Sequence, residues 1–191
     1  MKLKYTLWVL MHPVFQLLPQ ENLQYSQKHI QQIQQIINSI EEMSSHFEQK
    51  TATDTLTGTF MLYRKDGQVA VEIRYDNGNQ SPKINVRNNE MIVTQQNNKK
   101  THDISKSHLY KILSGQLDLA KTNPTIIKDA KDEIEIKIDK KFLLDSEIIL
   151  SFEKYKGTNN VWRIIGWKVS DGKNIVDVRF KKDTIKIKIK Q

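Results

Sequence analysis

The sequence predicts an α+β fold that is mainly β: a curved antiparallel sheet of about eleven strands with a few helices lying against it. Three observations predict it. Beyond residue 45 most apolar residues alternate with polar ones, the period of a strand with one buried face. The stretches between these runs are short and rich in Gly, Asn, Asp, Ser and Pro, the residues of tight turns. The clearest helical period is confined to residues up to 43. Consecutive strands joined by short turns make a meander, and a long antiparallel meander curls because its strands twist. One face of the curl is then concave and apolar, and amphipathic helices are its natural cover.

From Ser26 to about Met43, steps of three and four place Ile30, Ile33, Ile36, Ile37, Ile40 and Met43 on one stripe of a helix. A glutamine-rich coiled coil is the rival reading, but one short stripe favours docking on a sheet. The period then changes to two. Strands are predicted at Ser45–Thr51, Thr55–Arg64, Val69–Tyr75, Lys83–Arg87 and Glu90–Gln95. A second helical patch covers Ile104–Leu113, with Leu109, Ile112 and Leu113 as its apolar contacts, and "SGQLDLAKTNP" interrupts it. Strands resume at Thr125–Asp129, Glu133–Asp139, Glu147–Tyr155, Val161–Ser170, Ile175–Lys181 and Thr184–Lys190. No internal repeat and no long linker stands out, so residues 23–191 read as one domain.

The stretch "GTFMLYRKDGQVAVEIRY", residues 58–75, poses the sharpest question. Phe60, Leu62 and Arg64 share a parity, so a permanently charged guanidinium ends an apolar row. Either the strand runs out into solvent there, or the apolar face lines something that an arginine must guard.

Composition narrows the classes. An apolar fraction of 38% and a charged fraction of 27% over 191 residues suit a water-soluble globular domain. The net charge is +8, but the lysines are dispersed, and in "TIKIKIKQ" they alternate with isoleucine as on the wet face of a half-buried strand. No arginine-rich helix or aromatic-studded RNA-binding signature accompanies them, so nucleic acid is not expected as a partner. The absence of cysteine excludes disulfides, thiol catalysis and a cysteine-linked lipid anchor. "MKLKYTLWVLMHPVFQLL" followed by "PQENLQ" has a basic start, a short apolar run and a polar exit. That is the layout of a secretory signal over residues 1–22, although no small-x-small cleavage box precedes the exit and His12 interrupts the run. The alternative is a buried first helix or strand.

The chemistry inventory is thin. The spacings of His29, His46, His102 and His108 match no zinc pattern, and acid pairs such as Asp132–Glu133 lie in turns. No glycine loop precedes a helix as a phosphate site would, and no serine sits in a nucleophile elbow. No metal, cofactor or catalytic residue is expected, and the chain does not read as an enzyme.

The order of parts resembles the outer-membrane lipoprotein carriers, the LolA-type periplasmic chaperones. The residues carrying the resemblance are Phe47-Glu48-Gln49, then Gly58 opening a strand that ends in Arg64, then Gly166, Trp167, Val169 and Asp171 near the end. The motifs are individually weak, but their order spans nearly everything after residue 26. The resemblance implies an incomplete barrel of antiparallel strands, covered by a helical lid over a hydrophobic interior. It implies a monomeric carrier that takes acylated lipoproteins from an inner-membrane ABC-type transporter, crosses the periplasm and delivers them to an outer-membrane receptor. It also implies that Arg64 latches the lid by hydrogen-bonding its backbone. Family members commonly place proline directly after the arginine, where this chain has Lys65. The receptor of the same pathway shares the architecture but needs a cysteine after its signal, so a soluble carrier is preferred.

Parity supplies a lining for such a cavity. On the Arg64 face stand Phe60 and Leu62, with Val69, Val71 and Ile73 on the next strand, and Phe47, Ile84 and Val86 continuing the surface. From the lid come Ile33, Ile37, Ile40, Leu109 and Leu113. Ordinary core packing explains any one of them equally well, because Leu, Ile and Val build cores everywhere. A solidly packed β-sheet interaction module of the cell envelope, without lipid cargo, is therefore the alternative function.

Overall fold

The structure, a computed structural model, describes residues 20–190 except 66, 77, 79, 80, 97, 139–145 and 156–160, with side chains from residue 27. The predicted signal lies outside them, apart from its last residues, which open the first helix.

Two helices and twelve strands are present among the described residues. Helix α1 spans Gln20–Ser39 and passes directly into β1, Ile40–Lys50. Then come β2 (Thr55–Lys65), β3 (Gln68–Tyr75), β4 (Lys83–Arg87), β5 (Glu90–Gln95) and β6 (Asn98–Asp103). The short α2 (His108–Leu113) and a 3-10 turn (Leu119–Thr122) follow. The second run is β7 (Thr125–Ala130), β8 (Glu133–Ile138), β9 (Glu147–Tyr155), β10 (Val161–Ser170) and β11 (Ile175–Phe180). A 3-10 turn (Lys182–Thr184) leads to β12 (Lys186–Ile189).

All pairings are antiparallel, in the order β6-β5-β4-β3-β2-β1-β11-β10-β9-β8-β7. Two meanders thus join through β1 and β11, leaving an open curved sheet with edges at β6 and β7. β1 is long enough to pair twice along one side: Phe47–Lys50 with β11, and Ile40–Ser44 with β12. Hairpin chemistry fixes the register. Between Arg87 and Glu90, Asn88 and Asn89 take φ of 50° and 65°, the left-handed pair that a two-residue turn requires.

The register converts sequence parity into ladders. Met43, Leu62, Val71, Val86 and Met91 face one another across five strands, and Phe60, Ile73, Ile84 and Val93 form the next row. On the other half, Ile134, Phe152 and Ile164 form one row and Ile136, Leu150 and Trp167 another. A bulge between Ile164 and Gly166 keeps both Trp162 and Trp167 inward. Phe60, Trp167 and Phe180 meet with ring centroids 5.1–5.5 Å apart, joining the two meanders.

Three expectations are corrected. The first helix ends at Ser39, so Ile40 and Met43 belong to β1 and not to the helix, and Ile40 is not among the residues a helical lid would supply. A register shift between Ile40 and Glu42 lets Ile40 stay inward, which aliases a helical step onto a strand. The strand count rises from eleven to twelve because β6, "NKKTHD", has no apolar residue: it is an exposed edge strand held by its backbone to β5. The second helix begins at His108, where Ser107 caps it through Oγ accepting from the Tyr110 amide.

Candidate functional site

The site is built around the end of β2. Arg64, paired across the strands with Val69, points its guanidinium at the carbonyl ends of both helices. Nη1 donates to the carbonyls of Ile37 (3.0 Å) and Asn38 (2.5 Å) in the last turn of α1. Nη2 donates to the Leu113 carbonyl at the end of α2, at 3.0 Å. These are groups that a helix end leaves without intrahelical partners, and they carry the negative end of the helix dipole. The Nε of Arg64 is buried without a hydrogen-bond partner. No carboxylate among the described residues pairs with Arg64, and burial lowers its pKa from the usual arginine value. Lys65 continues β2 by pairing with Gln68, so Arg64 reaches these carbonyls without the proline that the family pattern carries.

Residues around the guanidinium tie α1 to the segment that follows α2. The Gln34 Oε1 accepts from the Leu119 amide at 2.7 Å, and its Nε2 donates to Asn38 Oδ1 at 2.9 Å. Gly115, just past α2 with φ of +73°, lies so close that a Cβ there would sit 2.7 Å from Asn38 Oδ1 and 3.6 Å from Arg64 Nη2. Tyr110 on α2 reaches the sheet, its hydroxyl donating to the Val69 carbonyl at 3.3 Å. Asn38, Gln34 and Tyr110 were not legible in the sequence. Gly115 carried a signal, since glycine just past a helical patch marks a left-handed helix end.

The parity-derived lining is brought together. Phe47, Phe60, Leu62, Val69, Val71, Val86, Ile33, Ile37, Ile40 and Leu113 are buried in one continuous apolar cluster. Ile73, Ile84 and Leu109 are partly buried against it. The surface under the helices is therefore closed and occupied by the protein's own side chains.

The motif residues have local explanations. Gly58 lies opposite both Phe47 and Tyr75, and a Cβ there would come within 2.9 Å of the Phe47 ring and 2.3 Å of the Arg74 carbonyl. The missing side chain lets Phe47 and Tyr75 meet edge to face, 5.6 Å apart. Gln49 accepts from the Tyr75 hydroxyl at 3.0 Å, and burial raises the pKa of that phenol. Gly166 makes room for the Val178 carbonyl, 2.3 Å from where its Cβ would lie. Asp171 ties a turn by accepting from the amides of Lys173 and Asn174, which hold its pKa at about 2.

The histidines do not assemble. His29 is buried on α1 edge-on to Trp162, and burial lowers its pKa. Among the described residues no group of three or more His, Asp and Glu could hold a metal ion. No described helix is long and apolar enough to cross a membrane.

Fold and site together define an open antiparallel sheet whose apolar face carries two helices, pinned at their carbonyl ends by one arginine. Among solved structures the chain is similar to LprF from Mycobacterium bovis, at 14% identity and a TM-score of 0.48, covering 83% of this chain and 92% of that one. It is also similar to a DUF1329 family protein from Desulfovibrio piger, at 13% identity and a TM-score of 0.48, covering 87% and 94%. A LolA superfamily protein from Nitrosomonas europaea is similar at 9% identity and a TM-score of 0.45, covering 86% and 93%. No family model and no curated protein matches the sequence. Likeness at this level concerns architecture alone, and the functional reading rests on the site.

Proposed function

We propose that the protein is a periplasmic carrier that shelters the acyl chains of lipoproteins on the apolar face of its sheet, with α1 and the α2 segment as a lid and Arg64 as its latch. The carrying observation is the Arg64 guanidinium, bonded to carbonyls of both helix ends with no carboxylate partner among the described residues. Partly burying a guanidinium is costly, and a core that needed only packing would place a leucine there. The cost becomes intelligible if the contact must break and re-form. Carbonyls hold the cation by partial charge, so water can replace them as the lid lifts.

The cargo chemistry follows from magnitudes. Each acyl methylene kept from water is worth about 0.8 kcal/mol, so a multiply acylated protein needs shelter to cross an aqueous space. An apolar hollow left open would invite aggregation, and a lid that closes on the empty protein avoids this. In the closed state the lining residues pack on one another; acyl chains take their place as α1 moves away. This reading brings with it an inner-membrane ABC-type transporter as donor and an outer-membrane receptor as acceptor, and no hydrolysis.

The test is a titration of purified protein with a fluorescent fatty-acyl probe and then with a triacylated lipoprotein. Saturable binding is expected, with retention altered in Arg64→Leu. A wild-type protein that stays folded and binds neither would remove the reading. A solidly packed interaction module of the cell envelope is the second reading, favoured by the continuity of the buried cluster under the helices. It predicts no acyl binding in the same titration.

A further inference from the structure

β1 pairs with two successive strands along one side, and this leaves a seam in the sheet. Residues 166–170 of β10 pair with β11, but the first half of β10, from Val161 to Ile164, pairs only with β9 among the described residues. Among the described residues β12 pairs only with β1. Between these two unmatched edges lies a cleft of about 510 Å³. That is within the range of about 300–1,000 Å³ typical of sites for small ligands. Ile36 from α1, Val161 and Trp162 from β10, and Ile187 and Ile189 from β12 make its walls apolar. Its charged lining residues, Arg163 and Lys186, are both cations. Arg163 is already committed to Glu153, with Nε 2.8 Å from the carboxylate, which leaves Lys186 to meet an anion.

The cleft adjoins the Arg64 contact through a single turn of helix. Ile36 forms part of its wall, and the next two residues, Ile37 and Asn38, present the carbonyls that hold Arg64. Ile36 also packs against the buried cluster that contains the proposed lining. Anything that wedges against Ile36 presses on the turn whose position the latch fixes.

Building on the carrier reading, we propose that this seam is the portal where one chain of an amphiphile with an anionic head first docks, its head beside Lys186 and its chain against Ile36, loosening the last turn of α1 from Arg64. An apolar cleft with cationic rim groups matches an acyl chain joined to a carboxylate or phosphate. A peptide strand added to the β12 edge and a second copy of the chain are the competing occupants.

The test uses full-length protein with cis-parinarate and with the corresponding neutral parinaryl alcohol, followed by stopped-flow fluorescence. Ile187→Glu and Ile189→Glu should each slow association and weaken binding of both probes about tenfold or more, because a carboxylate then lines the apolar wall. Ile189 is 44% exposed, so its substitution leaves the fold intact even if Ile187→Glu does not. Lys186→Glu should weaken parinarate about fivefold or more and leave the alcohol unchanged. Hydrogen exchange at Ile37–Ser39 should rise on binding. If both glutamate variants bind like wild type, the portal is wrong and the carrier reading survives. If wild type binds neither probe, both fall. A concentration-dependent dimer abolished by Ile189→Glu would give the cleft to a second copy and also overturn the portal.

Discussion

Replacing Arg64 by leucine removes the guanidinium of the proposed latch and leaves a shorter, apolar side chain. Three donated hydrogen bonds disappear, two to the end of α1 and one to the end of α2. Hydrogen bonds to a charged group contribute about 1.5–3 kcal/mol each, net of water. The guanidinium is only partly buried, and the freed carbonyls can be hydrated, so about half of that is appropriate here. The closed lid then loses about 2–4 kcal/mol, which raises the ratio of open to closed by roughly 30- to 1,000-fold. Hydrogen exchange reads this directly. Amides of α1 should exchange faster by that factor, whereas those of β8 and β9, whose Ile134, Ile136 and Leu150 are fully buried, should not change. Arg64→Lys should fall between the two, because an ammonium cannot aim two nitrogens at two helix ends. Equal acceleration everywhere, or none, would refute the latch: the first makes Arg64 an ordinary contributor to global stability, and the second makes its bonds incidental.

Gly115→Ala should weaken lid closure by about 1–2 kcal/mol, through φ of +73° and a Cβ 2.7 Å from Asn38 Oδ1, again read by exchange in α1. Gly58→Ala acts on the whole sheet instead. With a Cβ 2.3 Å from the Arg74 carbonyl, it should cost about 2–3 kcal/mol and lower Tm by roughly 4–12 °C. Glu133, paired with Lys128 and Lys182, has its carboxyl held at about 2 against an ordinary 4.5. A depressed folded-state pKa stabilises above the unfolded value, and that stability fades as pH falls from about 4.5 towards 2. Glu133→Gln should therefore lower Tm at neutral pH and converge with wild type near pH 2; with the side chain 34% exposed, solvent screening should keep the difference below about 1 kcal/mol.

Period-two alternation carried most of the sheet, because a strand buried on one face records its orientation in every second residue. Leu62, Val71 and Val86 could be placed on one face from parity, and the register sets them in one row. β6 escaped because an edge strand held by backbone bonds needs no apolar side chain. The end of α1 escaped for the opposite reason: Ile40 and Met43 satisfy a helical step and an inward strand position at once. The oddity of Arg64 was legible as a charge ending an apolar row. The resemblance implied backbone acceptors, but that they are the carbonyls of Ile37, Asn38 and Leu113 was not legible, because main-chain carbonyls leave no mark on residue type. Nor was the seam beside β12, which depends on where two strands part and not on what either contains.

Among the described residues no carboxylate pairs with Arg64, and this bears on how such a lid would work. A buried salt bridge must be desolvated to form, and breaking one strands two charges; both steps make switching slow and costly. Among the described residues Arg64 faces only partial charges at helix ends, so opening would leave a single cation at a strand end that water can reach. The contact is also divided between two helices, and Gln34 of α1 bonds the 3-10 turn that follows α2 through the Leu119 amide. On the carrier reading, displacing the last turn of α1 would also loosen the guanidinium that holds the end of α2, since one side chain grips both. Exposed ion pairs weaken with salt, whereas bonds from one cation to sheltered carbonyls are screened far less. Lid opening, measured as α1 exchange, should accordingly vary little with salt concentration. A steep dependence would mean that exposed charges, and not Arg64, hold the helices down.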